Sequence, residues 1–338
     1  MTNKEIKQRT TALKGNGVFP WHGEKCFHVA VVGTMSSGKS TLIDALLGTD
    51  CMPSANLACT SKIVSVCQKG DMKNLIGITV SKDGIVSHPM QAMKDSIKEW
   101  NQDDGIRRII LSGMPRRWRR GNSPLLVVHD TPGANDSRHP ELDDEYILEF
   151  LQRNSVNLIM YVIDGQYNGT TDQKGLISKI WKKCKNVDIL FVINKLDEFD
   201  TEKEDIHESL KNAVQDIETI GFANPVVIPI SAKVAQLSQL VLEGKAITAS
   251  ERIFLNKAIQ TFDDLTWFFP STLRRHRRGR RLLALGRDAE EISLRGMMRK
   301  AGLTALRAII QKKSMLQGRN FNETSLSGVQ SVPGGNEN

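Results

Sequence analysis

The chain has 338 residues, 40% of them apolar, and carries a formal net charge of +8, enough apolar material for one large core or two modest ones. No apolar run approaches the ~20 residues needed to span a bilayer, and the N-terminus MTNKEIKQRTTALKGNG lacks the apolar centre of a secretory signal, so a cytoplasmic chain is expected. The five cysteines are odd in number and include no C-x-x-C pair, which argues against a disulfide framework or a zinc site.

In chain order, residues 1–25 are read as an N-terminal segment with a helical stretch over 3–14. The apolar run FHVAVVG follows as a strand, then GTMSSGKSTLIDALLG over 33–48, with a helix from about Lys39. Further strand-like runs are KIVSVCQ, NLIGITVS, LLVVHD, LIMYVID, ILFVINK and VVIPIS. Between the later ones lie the amphipathic stretches DEYILEFLQRN, TDQKGLISKIWKKCK and EDIHESLKNAVQDIETI. Strand and helix alternating in this way predict a mostly parallel sheet flanked by helices, with ligands at the carboxyl ends of the strands.

After Lys233 the pattern turns purely helical, in KVAQLSQLVLEG, ASERIFLNKAIQTF and SLRGMMRKAGLTALRAIIQKK. The expected units are a head over 26–234, helices packing on it over 235–316, and a disordered tail over 317–338 that is rich in Gly, Ser and Asn. Positive charge concentrates in RRWRR at 116–120 and RRHRRGRR at 274–281, each either a solvated face or a contact for something anionic, lipid headgroups or nucleic acid.

Residues 33–40 fit G-x-x-x-x-G-K-S between a strand and a helix. The glycines let backbone N–H groups turn toward an anion and the helix adds the positive end of its dipole; Lys39 is expected at the β and γ phosphates and the Ser40 hydroxyl on Mg²⁺. Gly33, Ser36, Ser37, Gly38 and Thr41 complete the phosphate-binding set, and the fold class follows as an α/β P-loop NTPase with a C-terminal helical extension. Asp130, closing LLVVHD and opening DTPG, is placed to hold the metal through water, and Gly133 to offer its N–H to the γ phosphate.

FVINKLD and VIPISAK then set Asn194, Lys195, Asp197, Ser231, Ala232 and Lys233 past two successive strands. A carboxylate at Asp197 can accept from guanine N1–H and the exocyclic amine together, a donor pair that adenine lacks, so a site built on that bond rejects adenine. Asn194 is expected to brace the loops, the Lys195 stem to cover the base, and the Ala232 amide to meet guanine O6. GTP is therefore the expected ligand. A mobile loop must also supply a Thr or Ser to the metal, and ANLACTSKI offers Thr60, preferred here as the third metal ligand after Ser40 and Asp130, or Ser61.

GTMSSGKSTLIDALLG followed by CMPSANLACTSKIVSV, with DTPG, NKLD and SAK, resembles the GTPase head of bacterial dynamin-like proteins over about residues 26–234. The resemblance implies GTP hydrolysis stimulated when two heads pair, and makes Ser36, Lys39 and Thr60 the catalytic group. It also implies that Ser36 holds a monovalent cation such as K⁺ against the developing charge. Met35 stands where dynamins carry a water-positioning glutamine, and Ala134 lacks the water-orienting side chain of Ras-like enzymes. Both departures imply slow turnover until heads meet. Only about 85 residues separate Lys233 from the tail, so no long stalk is expected here. The implied partners are a second copy, an anionic membrane surface or a stalk-bearing protein. An RNA-binding or ribosome-associated GTPase, with the arginine runs on phosphate backbone, is the alternative reading.

Overall fold

The computed structural model describes residues 19–52, 62–69, 75–113, 123–134, 144–167, 171–199, 206–263 and 301–327. They form a nine-stranded sheet of β1 (Cys26–Gly33), β2 (Ile63–Cys67), β3 (Ile76–Ser81), β4 (Met90–Gln91), β5 (Ile106–Ser112), β6 (Leu125–Asp130), β7 (Leu158–Asp164), β8 (Asp188–Asn194) and β9 (Val227–Pro229). The order is β4-β3-β5-β2-β6-β1-β7-β8-β9. From β6 to β9 neighbouring strands run parallel, as do β2 and β5, whereas β2 is antiparallel to β6 and β3 is antiparallel to β5 and β4.

The helices are α1 (Lys39–Leu47), α2 (Lys94–Gln102), α3 (Asp144–Arg153), α4 (Thr171–Lys183), α5 (Ile206–Ile220), α6 (Ala232–Leu242), α7 (Ala249–Asp263) and α8 (Leu303–Ser327). They cover both faces, as near-continuous apolar strands require. On one face α1, α6, α7 and α8 share a core with alternate strand residues, including Val29, Val31, Leu42, Leu46, Val128, Leu237 and Leu306. On the other, Ile147, Leu151, Leu176, Ile177, Ala213 and Ile217 of α3, α4 and α5 meet Ala30, Val32, Tyr161 and Phe191. Each fully buried Leu or Ile contributes about 1.5–3 kcal/mol by leaving water.

Three local features differ from the sequence-based expectation or add to it. Residues 19–25 form a turn before β1 begins at Cys26, and the helical stretch expected over 3–14 lies outside the described residues. The tail does not begin at 317, because α8 runs on to Ser327; GRNFNETSLS contains no proline, so nothing in it forbids extending a helix already nucleated by the buried Leu303, Leu306 and Ile310. IRRIILS, unread in the sequence because two arginines interrupt its apolar run, is β5 and lies between β2 and β3.

A polar chain crosses the sheet beside β6. Arg108 Nε and its terminal nitrogen donate to Ser65 Oγ at 3.1 and 3.0 Å. Ser65 Oγ lies 2.9 Å from His129 Nδ1, and His129 Nε2 lies 3.0 Å from His28 Nδ1. With both lone pairs of Ser65 given to the guanidinium, its hydroxyl proton points to His129 Nδ1, so His129 donates from Nε2 to His28. Phe19 and Phe150 lie against the guanidinium, and Trp21 meets both imidazoles edge-on.

Candidate nucleotide site

The carboxyl ends of β1, β6, β8 and β9 open on one edge of the sheet, and the segments carrying Gly33 to Thr41, Asp130 to Gly133, Asn194 to Asp197 and Ser231 to Lys233 arrive there. Thr60 and its alternative Ser61 lie outside the described residues, as do both arginine runs.

At the end of β1 the chain turns through residues 34–38 into α1. Gly38 sits at the helix start with φ 88°, a left-handed conformation that favours glycine, and an added Cβ would strike Asn194 Nδ2. Ser36, exposed, also has positive φ, at 60°. Ser37 is buried and its hydroxyl donates to Thr34 O at 3.0 Å. The Lys39 ammonium is folded back into the loop, donating to Gly33 O and Thr34 O at 3.0 and 2.8 Å. Those carbonyls hold it where a phosphate would recruit it. Thr41 follows Ser40 on the first turn of α1.

The β6 end lies against this loop. Ser40 Oγ donates to Asp130 Oδ2 at 2.7 Å, so a hydroxyl and a carboxylate oxygen meet at the helix N-terminus. This is an all-oxygen donor pair, the kind a hard divalent cation such as Mg²⁺ takes, and with one carboxylate it suits a metal shared with phosphate oxygens. Among the described residues no cluster of three acidic, His or Cys side chains offers a cage for a metal by itself. Thr131 Oγ1 ties the turn to Val31 O at 2.9 Å, and a Cβ on Gly133 would come within 2.7 Å of Met35 Cα. Glycine is thus what lets the two phosphate-side loops touch.

The base side is built around Asn194. Its Nδ2 donates to Ser37 O at 2.9 Å, and its Oδ1 accepts from the Ala232 amide at 2.9 Å. One buried side chain therefore joins all three loops. The Ala232 N–H, the amide expected at guanine O6, donates to Asn194 Oδ1 at the start of α6.

Ser231 caps α6 through Val234 N and donates its hydroxyl to Asp197 Oδ1. Burial raises the Asp197 pKa above the usual carboxylate range, with the Ser231 hydrogen bond opposing the shift. Lys195, at φ 67°, pairs with Asp164 Oδ2 at 2.7 Å; burial works against its charge, but the hydrogen bond and the carboxylates of Asp164, Glu198 and Asp197 outweigh it and raise its pKa. Lys233 pairs with Glu251 of α7 at 2.7 Å, and that hydrogen bond, followed by one from the Thr248 amide, lowers Glu251 to about 2. Sequence reading passed over Asp164, although an acid closing the apolar run LIMYVID is the same signal that marked Asp130.

Residues 29–196 match the sequence model of the dynamin family. An uncharacterised protein in the xynA 3′ region of Caldicellulosiruptor sp. (strain Rt8B.4) is 28% identical over 247 residues, which are 71% of this chain and 56% of the relative. Two structures of an oligomerised bacterial dynamin pair, described as sensing and tethering membranes at long range, align over 96% of this chain with TM-scores of 0.49 and 0.45 and 15% and 14% identity. They are covered to 46% and 54% of their own lengths. Era from Aquifex aeolicus bound to GDP and aluminium fluoride aligns over 66% of this chain and 58% of its own, at 19% identity and a TM-score of 0.36. The chain thus spans about half the length of these relatives.

Proposed function

We propose, given that residues 29–196 form a dynamin-family GTPase head, that this chain binds Mg²⁺·GTP, hydrolyses it to GDP and phosphate, and does so fastest when two heads pair. The observation that carries the reading is the convergence of Lys39, Ser40 and Asp130 with Asn194, Asp197 and Ser231 on one sheet edge, joined through the Asn194 side chain.

In this scheme Lys39 leaves the Gly33 and Thr34 carbonyls for the β and γ phosphates, and the Gly33 to Thr41 loop wraps the phosphates with its amides. Ser40 through its hydroxyl and Asp130 through water hold the metal, with Thr60 as the third ligand; bound there, Mg²⁺ supplies positive charge against the phosphoryl oxygens. Gly133 offers its amide to the γ phosphate. Asp197 reads guanine, Lys195 covers it, and Ser231, Ala232 and Lys233 frame it, with Ala232 exchanging its Asn194 bond for guanine O6. Ser36 would hold a monovalent cation against the developing charge. Met35 and Ala134 leave the attacking water without a side-chain guide within one head, so pairing is the step that completes catalysis. The proposed units are an N-terminal segment 1–25, the head 26–234 and packing helices over 235–316; the proposed setting is the cytoplasm, with contact to an anionic membrane or a stalk-bearing partner.

The test is GTP hydrolysis against protein concentration in K⁺ and in Na⁺, with Lys39→Ala as control. Specific activity is expected to rise with concentration, prefer K⁺ and vanish in the control. A rate flat in concentration and indifferent to the cation removes head pairing and the Ser36 role.

A further inference from the structure

The loop after β7 lies beside the base-reading loop and clips to it at two points. β7 and β8 run parallel with Asp164 level with Asn194. Asp164 Oδ2 pairs with Lys195 Nζ at 2.7 Å, while its Oδ1 accepts from the Gln166 amide at 3.1 Å. Gln166 Nε2 donates to Glu198 O at 2.7 Å. A Cβ on Gly165 would fall 2.8 Å from Asn194 O, so the two backbones meet closely between the clips. Asp164 is 5% exposed, a buried carboxylate whose charge is met by the lysine.

We infer that Asp164 is a positioning residue for guanine recognition, holding Lys195 along the base plane and keeping its charge away from Asp197. The inference rests on the guanine reading proposed above and deepens it. Two physical arguments lead to it. A free lysine side chain forfeits up to about 2 kcal/mol of rotamer freedom when ordered, and a tail already anchored on Asp164 has lost that freedom before nucleotide arrives. Lys195 also stands two residues from Asp197. Without Asp164 its ammonium would turn to the Asp197 carboxylate and compete with guanine N1–H for the same oxygens. With Asp164 in place, Asp197 keeps the Ser231 hydroxyl on one side and the base on the other.

The role belongs to the base and not to the phosphates, and that separates it from a general structural contribution. The experiment measures Mg²⁺·GDP, ADP and tripolyphosphate affinities of the full chain for the wild type, Asp164→Ala, Asp164→Asn and Asp164→Glu. The wild type is expected to prefer GDP to ADP. Losing a charged hydrogen bond under the base should weaken GDP about tenfold or more in D164A. Tripolyphosphate affinity should stay within about twofold of wild type, since no phosphate contact is touched. The isosteric D164N, which keeps the Gln166 contact and the shape, should move the same way by less if the alanine variant folds poorly, and D164E should recover most of the loss. Unchanged GDP affinity in D164A and D164N overturns the inference and leaves guanine recognition standing. Parallel weakening of GDP and tripolyphosphate assigns Asp164 to folding alone and overturns it too. A wild type with no preference for GDP over ADP removes the guanine reading and this inference with it.

Discussion

Asp197 carries two demands that pull against each other. In the proposed role it must be ionised to accept two hydrogen bonds from guanine, yet burial raises its pKa. Protonation removes the bidentate acceptor, so guanine nucleotide affinity should be full well above the raised pKa and fall as pH drops through it, starting at higher pH than an ordinary carboxylate of about 4 allows. Titration calorimetry with GDP between pH 8 and 5 should show that loss, and Asp197→Asn should show weak binding with the acid limb gone. A wild-type affinity constant across that range would contradict the reading. At this scale the sequence was most legible where a residue type and a strand end coincide, as at Lys39, Asp130, Asn194 and Asp197. It could not show that Ala232 donates to Asn194, because a backbone amide has no signature of its own. Nor did it single out Asp164, whose role exists only once β7 and β8 are placed side by side.

Among elements, β6 ties the phosphate side to the sheet through the His129 chain. His28 is lowered to about 4 by burial, then by the Arg108 charge; His129 lies well below its ordinary value, from burial first, then Arg108 and His28. Unfolded, both titrate near 6.5. Depressed folded values mean the neutral forms are favoured in the fold, so their contribution to stability is present above pH 6.5 and is lost as pH falls toward 4. Melting temperature followed from pH 7.5 to 4 should fall through that window, and replacing His28 with Gln should flatten the fall. Ser65→Ala strips the acceptor from two guanidinium N–H groups and should lower stability by about 1–3 kcal/mol in urea unfolding. Element type was readable from apolar runs and amphipathic spacing. β5 escaped because Arg107 and Arg108 break its run, and Arg108 is there to serve Ser65 across the strand pair, a reason no window along the chain contains.

At the scale of the whole molecule, the last described helix, α8, finishes what α1 begins. Arg307 of α8 donates to Ala45 O at 2.7 Å and Leu46 O at 3.0 Å, the carbonyls that end the helix starting at the phosphate loop, and to Gln239 Oε1 of α6 at 2.6 Å. The Ser231 amide donates to Ala301 O at 3.1 Å, so the same segment steadies the base side. Arg307→Ala should cost about 1.5–3 kcal/mol, and Arg307→Lys should recover only part of it, because a single ammonium nitrogen lacks the planar guanidinium geometry that reaches Leu46 O through two nitrogens. The urea midpoint of each variant checks this, and equal midpoints for Ala and wild type would mean the fork contributes nothing. That helices follow Lys233 was legible in their spacing; that they close on α1 was not, since no local pattern shows which carbonyls a distant arginine will reach.

The position of Arg307 also sets a clock for synthesis. The phosphate loop leaves the ribosome well ahead of α8, and the carbonyls at the far end of its helix wait for a partner 261 residues later. Until that stretch emerges, the apolar face that α1 and α6 present to α8 stays open to water and to other chains. The nucleotide pocket is therefore begun long before the segment that completes it is made. A nascent chain stalled before residue 301 is the form most in need of a chaperone.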